Sequence, residues 1–275
     1  MKGYRMLIIF SLLTTLLLAA CGNEASTDGE DKTTIKVGTS PGPYSELFID
    51  AIVPILEDEG YSVETVDFTE LLQADIALDE GSIDLNVDQH TAYYENFNSE
   101  KGANLTKITP IPTVPTGIFP GRKDSLDDIE EGDVIGIPKD PSNAARAYAV
   151  LQKAGLITLK DDVELVKATQ NDIEENEYNL DIQEMDSAQI PRALEDLDYG
   201  IIPGSIVYAS GLDASTSLLH EDILKELELV AVVDEKNKDS DWAQAVKAAY
   251  ESEAFKEYME EHNKDGYWFI PEEIR

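Results

Sequence analysis

The chain has 275 residues and a formal net charge of −35, from 56 Asp and Glu against 21 Lys and Arg. That length allows one large or two ordinary domains. Such acidity excludes nucleic acid as a partner, because phosphate recognition needs clustered Lys and Arg, and it leaves a strongly hydrated surface that says nothing about a ligand.

Lys2 and Arg5 precede an apolar run over residues 6–20. The run is shorter than the about 20 residues of a membrane-spanning helix, and residues 1–20 read as a secretory signal. It ends Leu18-Ala19-Ala20-Cys21, and Cys21 is the single cysteine, so no intrachain disulfide can form. A lone Cys in a secreted chain asks for a reason. Leu-Ala-Ala-Cys resembles the bacterial lipobox, which implies a lipid anchor on Cys21 holding the protein to the outer face of a membrane. The alternative is a signal anchor with an incidental Cys. Residues 21–33 are small, polar and acidic, and read as a flexible tether.

The body opens with a strand over 35–39. Gly42 and Pro43 turn the chain, and Ser45 is placed to cap a helix that carries Leu47, Phe48, Ala51, Ile52, Ile55 and Leu56 at helical spacing. Pro54 inside it predicts a kink or a break. A strand over 62–68, a helix over 69–80 and a strand over 83–87 follow. This β-α-β-α-β run implies a parallel sheet, with ligands gathered beyond the carboxyl ends of the strands. Residues 108–119 are apolar and Pro-rich without helical period, and read as an extended crossing between lobes.

Residues 134–155 carry the densest signal. Val134 to Ile137 read as a short buried strand, ended by Pro138 and Pro141. Ser142 is a good N-cap for the Ala-rich helix that follows, and Gly155 stands at its C′ position. A helix start offers free N–H groups and partial positive charge to an anion. Arg146, read in the first turn, stands where that dipole disfavours a cation. Two accounts stay open: a carboxylate held between Arg146, Asn143 and the helix end, or a surface Arg paired with one of the many acids. Further on, strands are expected near 163–166, 180–185, 199–202 and 227–233. Ser187 caps a helix through 193–197, a helix starts at 204–210, and one long helix spans 239–262.

Several segments match a known pattern: Asp-Gln-His-Thr-Ala-Tyr (88–93), Pro-Thr-Gly-Ile-Phe (115–119), Ile-Pro-Lys-Asp-Pro-Ser-Asn-Ala-Ala-Arg-Ala (137–147), Leu-Gln-Lys-Ala-Gly-Leu-Ile-Thr-Leu-Lys-Asp (151–161) and Ala-Gln-Ile-Pro-Arg-Ala-Leu-Glu-Asp (188–196). On these, from about Thr34 to the C-terminus, the chain resembles the NlpA/MetQ family of methionine-binding lipoproteins of bacterial ABC importers. The resemblance implies an α/β fold of the type II periplasmic-binding-protein kind: two lobes joined by two crossings, with a ligand in the cleft. Lobe 1 is expected over 34–115 plus 225–275 and lobe 2 over 116–224. Membership implies that Asn143 and Arg146 hold an amino-acid carboxylate and that His90 and Tyr93 line a side-chain pocket. Ser40 borders the cleft, and Phe119 flanks a crossing.

The departures concern the pocket. The family has Phe where this chain has Asp88, often Tyr where it has Val114, and an Asn-containing segment where it has Pro203, Gly204 and Ser205. Either Asp88 points to solvent, or it pairs with a ligand more polar or cationic than methionine, such as a short peptide whose amine reaches it.

Gly38-Thr-Ser-Pro-Gly42 matches the hydrolase pattern G-x-S-x-G, but the oxyanion hole needs an N–H after the nucleophile and Pro41 has none. His90, His220 and His262 lack metal-ligand spacing. Neither an enzyme nor a cofactor is expected. The expected function is capture of a methionine-type amino acid, a relative or a short peptide by a monomer. The ligand is then delivered to an ABC permease and its ATPase. The alternative is a surface interaction or adhesion lipoprotein that keeps the fold without transport.

Overall fold

A computed structural model describes residues 33–263 and 267–275. The signal, Cys21 and most of the tether lie outside the described residues.

The first sheet grows from alternating strands and helices. β1 (Thr34–Thr39) leads into α1 (Pro43–Leu47), a π-helical turn (Phe48–Ile52) and α2 (Val53–Asp58). Pro54 thus does not break the rod. The wider turn before it, in which the Val53 N–H reaches back to Phe48 O, accommodates the ring. Gly42, not Ser45, is the residue before α1, and Ser45 lies inside the helix, buried. β2 (Ser62–Asp67), α3 (Leu71–Asp79) and β3 (Leu85–His90) follow. Next comes α4 (Thr91–Lys101), a helix that the sequence pattern does not announce because its apolar positions are few. β4 (Leu105–Pro110) ends this run.

The chain crosses over residues 111–116 into β5 (Gly117–Pro120). Then come β6 (Val134–Pro138), α5 (Pro141–Lys153), β7 (Thr158–Leu159), β8 (Ile173–Glu175) and β9 (Asp181–Met185). The expected strand at 163–166 is instead a 3-10 turn at Leu165–Lys167, and β7 pairs with β8. α6 (Ile190–Ala193), β10 (Tyr199–Ile202), α7 (Gly204–Ser210) and β11 (Leu219–His220) complete the second body. The chain then returns through β12 (Leu229–Asp234) to α8 (Asp241–Glu251) and α9 (Glu253–His262). These last two replace the single long helix expected. Ser252 divides them, its side chain accepting from the Phe255 N–H as the N-cap of α9.

The strands form two mixed five-stranded sheets, ordered β2-β1-β3-β12-β4 and β11-β5-β10-β6-β9. β1 runs parallel to β2 and β3, and β6 runs parallel to β9 and β10. Apolar clusters cover both faces of each sheet, while edge strand β2 stays largely exposed. Phe48, Tyr250 and Phe255 pack beside the first, with Leu78, Tyr94 and Phe97 in a separate cluster. Tyr148 and Leu151 pack beside the second, with Ile190 and Phe119 in another cluster.

The two crossings are laced together. The Glu221 N–H donates to Thr116 O (3.0 Å) and the Ile111 N–H to Leu229 O (2.8 Å). Phe269, near the chain end, exchanges two 2.9 Å backbone bonds with Thr113. Gly204 is required here, since a Cβ would lie 2.6 Å from Val114 Cγ2 and 2.7 Å from Pro115 O.

One irregularity aims a side chain. β12 pairs antiparallel with β3, with Val230 opposite Gln89 but Val232 opposite Asn86. Val87 and Asp88 therefore oppose one residue, a bulge. Val87 stays in the core with Phe48, and its neighbour Asp88 reaches Ser45 on the same helical rod.

Candidate functional site

A cleft of about 410 Å³ opens where β3 and β6 end, within the size range of small-ligand sites. The loop after β1 supplies Ser40 and the start of α1 supplies Tyr44, and the end of β3 with the start of α4 supplies Asp88, Gln89, His90 and Tyr93. The start of α5 supplies Lys139, Asp140, Asn143 and Arg146, and α7 supplies Ser205 and Ile206.

The start of α5 is built differently from expectation. Asp140, not Ser142, is the N-cap: its Oδ1 accepts from the Asn143 N–H and from Asn143 Nδ2, both at 3.0 Å. Pro141 takes the first helical position, where its missing N–H costs nothing. Arg146 consequently lies in the second turn, beyond the strongest reach of the helix end. The Ala-rich sequence lets this helix pack closely, and Arg146 is only 3% exposed.

Its charge is answered within the protein. Arg146 Nε donates to Glu221 Oε2 (2.6 Å), and Nη2 donates to Glu221 Oε1. Glu221 Oε1 also accepts from the Thr116 N–H at 2.6 Å. Burial works against the guanidinium charge, but Glu221 outweighs it and the Arg146 pKa is raised. Arg146 is thus paired with an acid, but in the cleft wall rather than on the surface.

His90 caps α4. Its Nδ1 accepts from the Tyr93 N–H (3.2 Å), which leaves the proton on Nε2. Burial, with Arg146 nearby, pushes the imidazole down to about 3, so it is neutral. The Asn143 side chain lies close enough to favour the charged form, yet Nε2 makes no hydrogen bond of good geometry among the described residues. The Tyr93 ring stands edge-on to it, centroids 6.2 Å apart.

Asp88 turns inward. Ser45 Oγ lies 2.9 and 3.1 Å from its two carboxylate oxygens, and Ser45 Oγ also accepts from the Ser40 N–H. Burial pushes the Asp88 carboxyl up to about 7, against these hydrogen bonds. Behind it, Gln89 Nε2 donates to Asp75 Oδ1 (2.5 Å) and Asn86 Oδ1 (3.1 Å). Asp75 Oδ2 and Gln89 Oε1 are buried without partners among the described residues.

The structure gathers Asn143, Arg146, His90, Tyr93, Asp88, Ser205 and Ser40 around one cleft. Phe119 is a correction. It is 1% exposed and packs with Ile190, Leu197, Ile202 and Val207 in the second body's core. Val114 is fully buried beneath the Tyr44 hydroxyl, which accepts from its N–H (3.2 Å). Sequence reasoning does not reach Glu221, Asp140, Gln89 or Tyr44 as site residues. Asp140 is legible in principle, as an N-cap type before an N1 proline. Glu221 lies in a segment without periodicity that gives no signal.

The NlpA lipoprotein family model matches residues 35–271. The D-methionine-binding lipoprotein MetQ of Salmonella typhi is 33% identical over 246 residues, 88% of this chain and 89% of that one. A nutrient-binding protein from Burkholderia cenocepacia, solved bound to methionine, superposes with a TM-score of 0.79 at 32% identity, over 86% of this chain and 99% of that one. The substrate-binding protein of a methionine transporter from Streptococcus pneumoniae gives 0.78 at 31%, over 88% and 97%. The two sheets and the cleft between them form the two-lobe periplasmic-binding-protein fold of these neighbours.

Proposed function

Because the chain belongs to the NlpA lipoprotein family, we propose that it captures an amino acid of the methionine type outside the membrane and delivers it to an ABC permease and its ATPase. The cleft carries this reading. Arg146, Asn143 and the unpartnered Nε2–H of His90 converge on it from both bodies, in a chain similar to a protein solved with methionine bound. Arg146 keeps an Nη1 edge beyond the fork it gives Glu221, and this edge meets the ligand carboxylate together with His90 Nε2–H. Tyr93 and Ser205 border the rest of the ligand.

The bodies split as lobe 1 over 34–115 plus 225–275 and lobe 2 over 116–224. They close by bending at the laced crossings, which excludes water around Arg146 and gives the permease a shape to recognise. A lipid on Cys21 holds the protein, as a monomer, at the outer face of the membrane. Among the described residues no helix is long and apolar enough to cross one. The family is one of substrate-binding proteins and no catalytic step is assigned. Relatives named for methionine binding do not favour the surface-interaction alternative.

Titration of the protein from residue 22 with methionine tests the reading. Saturable one-site binding supports it. Absence of binding to methionine and to every other free amino acid overturns it.

A further inference from the structure

Asp88 presents a half-buried acid without a counter-charge. Among the described residues no Lys, Arg or His pairs with it, and its contacts are the hydroxyl of Ser45 and the adjacent Ser40. Arg146, the buried cation of the cleft, is already forked onto Glu221, and exposed Lys139 pairs with Asp186 at 3.2 Å. Asp140 adds a second carboxylate to the lining.

The acid is placed there by construction. The two-for-one bulge in β3 puts Asp88 on the same side as Val87, facing the helical rod, while Gln89 reaches Asp75 on α3. Ser45, interior to α1, gives its hydroxyl to this carboxylate instead of capping a helix. A buried carboxylate lacking a counter-charge takes up either a proton or a cation. Asp88 lines the cleft together with Tyr44, and Ser45 holds the Asp88 carboxylate from outside the lining.

We propose that Asp88 is a specificity-determining residue that receives an ammonium group of the ligand in the cleft. This rests on the amino-acid-capture reading and deepens it. The class selected is an amine-bearing amino acid or peptide, and an isostere with a blocked amine is rejected. The ammonium comes from the α-amine or from a side chain. Either source supplies the missing positive charge and offers N–H donors to Asp88.

Calorimetric titrations of the wild type and Asp88→Asn with two ligand pairs test this. The pairs are methionine with N-acetylmethionine, and lysine with norleucine. An α-amine on Asp88 predicts that N-acetylation weakens wild-type binding about 30-fold or more. Asp88→Asn should weaken methionine comparably and shrink the N-acetyl penalty to a few-fold. A side-chain amine predicts instead that lysine outcompetes norleucine in the wild type and that Asp88→Asn abolishes the preference. Asp88→Ser replaces the amide variant should that one fail to fold. Retention of methionine affinity within about 3-fold in the variant, with an unchanged N-acetyl penalty and no lysine preference in the wild type, overturns the inference and leaves amino-acid capture intact. A wild type that binds none of the four, nor any other free amino acid, overturns both.

Discussion

Arg146 on α5 and Glu221 on the returning crossing form a forked ion pair whose side chains are 3% and 5% exposed. The same carboxylate accepts from the Thr116 N–H on the outgoing crossing. The residue proposed to meet the ligand carboxylate is thereby wired to both strands on which the lobes would turn. Truncating one member of such a pair leaves a buried charge alone, at about 3–5 kcal/mol. Glu221→Ala and Arg146→Met should each lose stability of that order in urea denaturation. The double variant Arg146→Met with Glu221→Gln should recover most of it, since Gln still accepts from Thr116. It should recover no ligand affinity, which separates the structural role of the pair from its binding role. Recovery of both would contradict the assignment of Arg146 to the ligand.

The Asp75–Gln89 contact predicts a pH dependence. Asp75 is fully buried, and burial pushes its carboxyl from 3.8 up to about 7, with Gln89 opposing. The folded protein then holds a proton that the unfolded chain releases at about pH 4. This contribution to stability is complete below that pH and is lost as pH rises through about 7. Asp88, pushed up to about 7 by burial, acts with the same sign. Asp75→Asn should flatten the decline and exceed the wild type at pH 8 by about 1–3 kcal/mol. Denaturation at pH 5 and pH 8 checks this, and equal slopes for the two proteins would refute it.

The amino-acid sequence discloses the molecule unevenly, for physical reasons. β1, β10 and α7 follow from short apolar runs, and β2 from alternation along its residues. Arg146, Asn143, His90 and Tyr93 are legible through motif resemblance, and their shared cleft agrees with strands ending at one edge of each sheet. The inward aim of Asp88 is not readable, because it depends on a bulge set by where β12 pairs. Ser252 is hidden because apolar spacing continues on both sides of it, while its hydroxyl makes a new cap. Phe119 sits beside a crossing in sequence, but strand alternation turns it into the core. Glu221 depends on a contact 75 residues away that no local pattern records.

A contact joins the two bodies at the surface. The Tyr208 hydroxyl on α7 donates to Glu46 Oε2 on α1. Tyr208 is 48% exposed, so the bond contributes little to folding, but opening the cleft would break it. A net hydrogen bond is worth about 0.5–1.5 kcal/mol. Tyr208→Phe should therefore speed ligand dissociation about 2- to 10-fold, with an unchanged melting temperature. Stopped-flow release measures this. An unaltered rate would mean that the contact does not hold the closed form.

The most direct test of the central claim is calorimetric titration of the protein from residue 22 with methionine, run beside the Arg146→Met, Glu221→Gln double variant. One saturable site in the wild type, with affinity lost in a variant that still unfolds cooperatively, is the predicted result. Equal binding by the two proteins, or no binding of any free amino acid by the wild type, would contradict it.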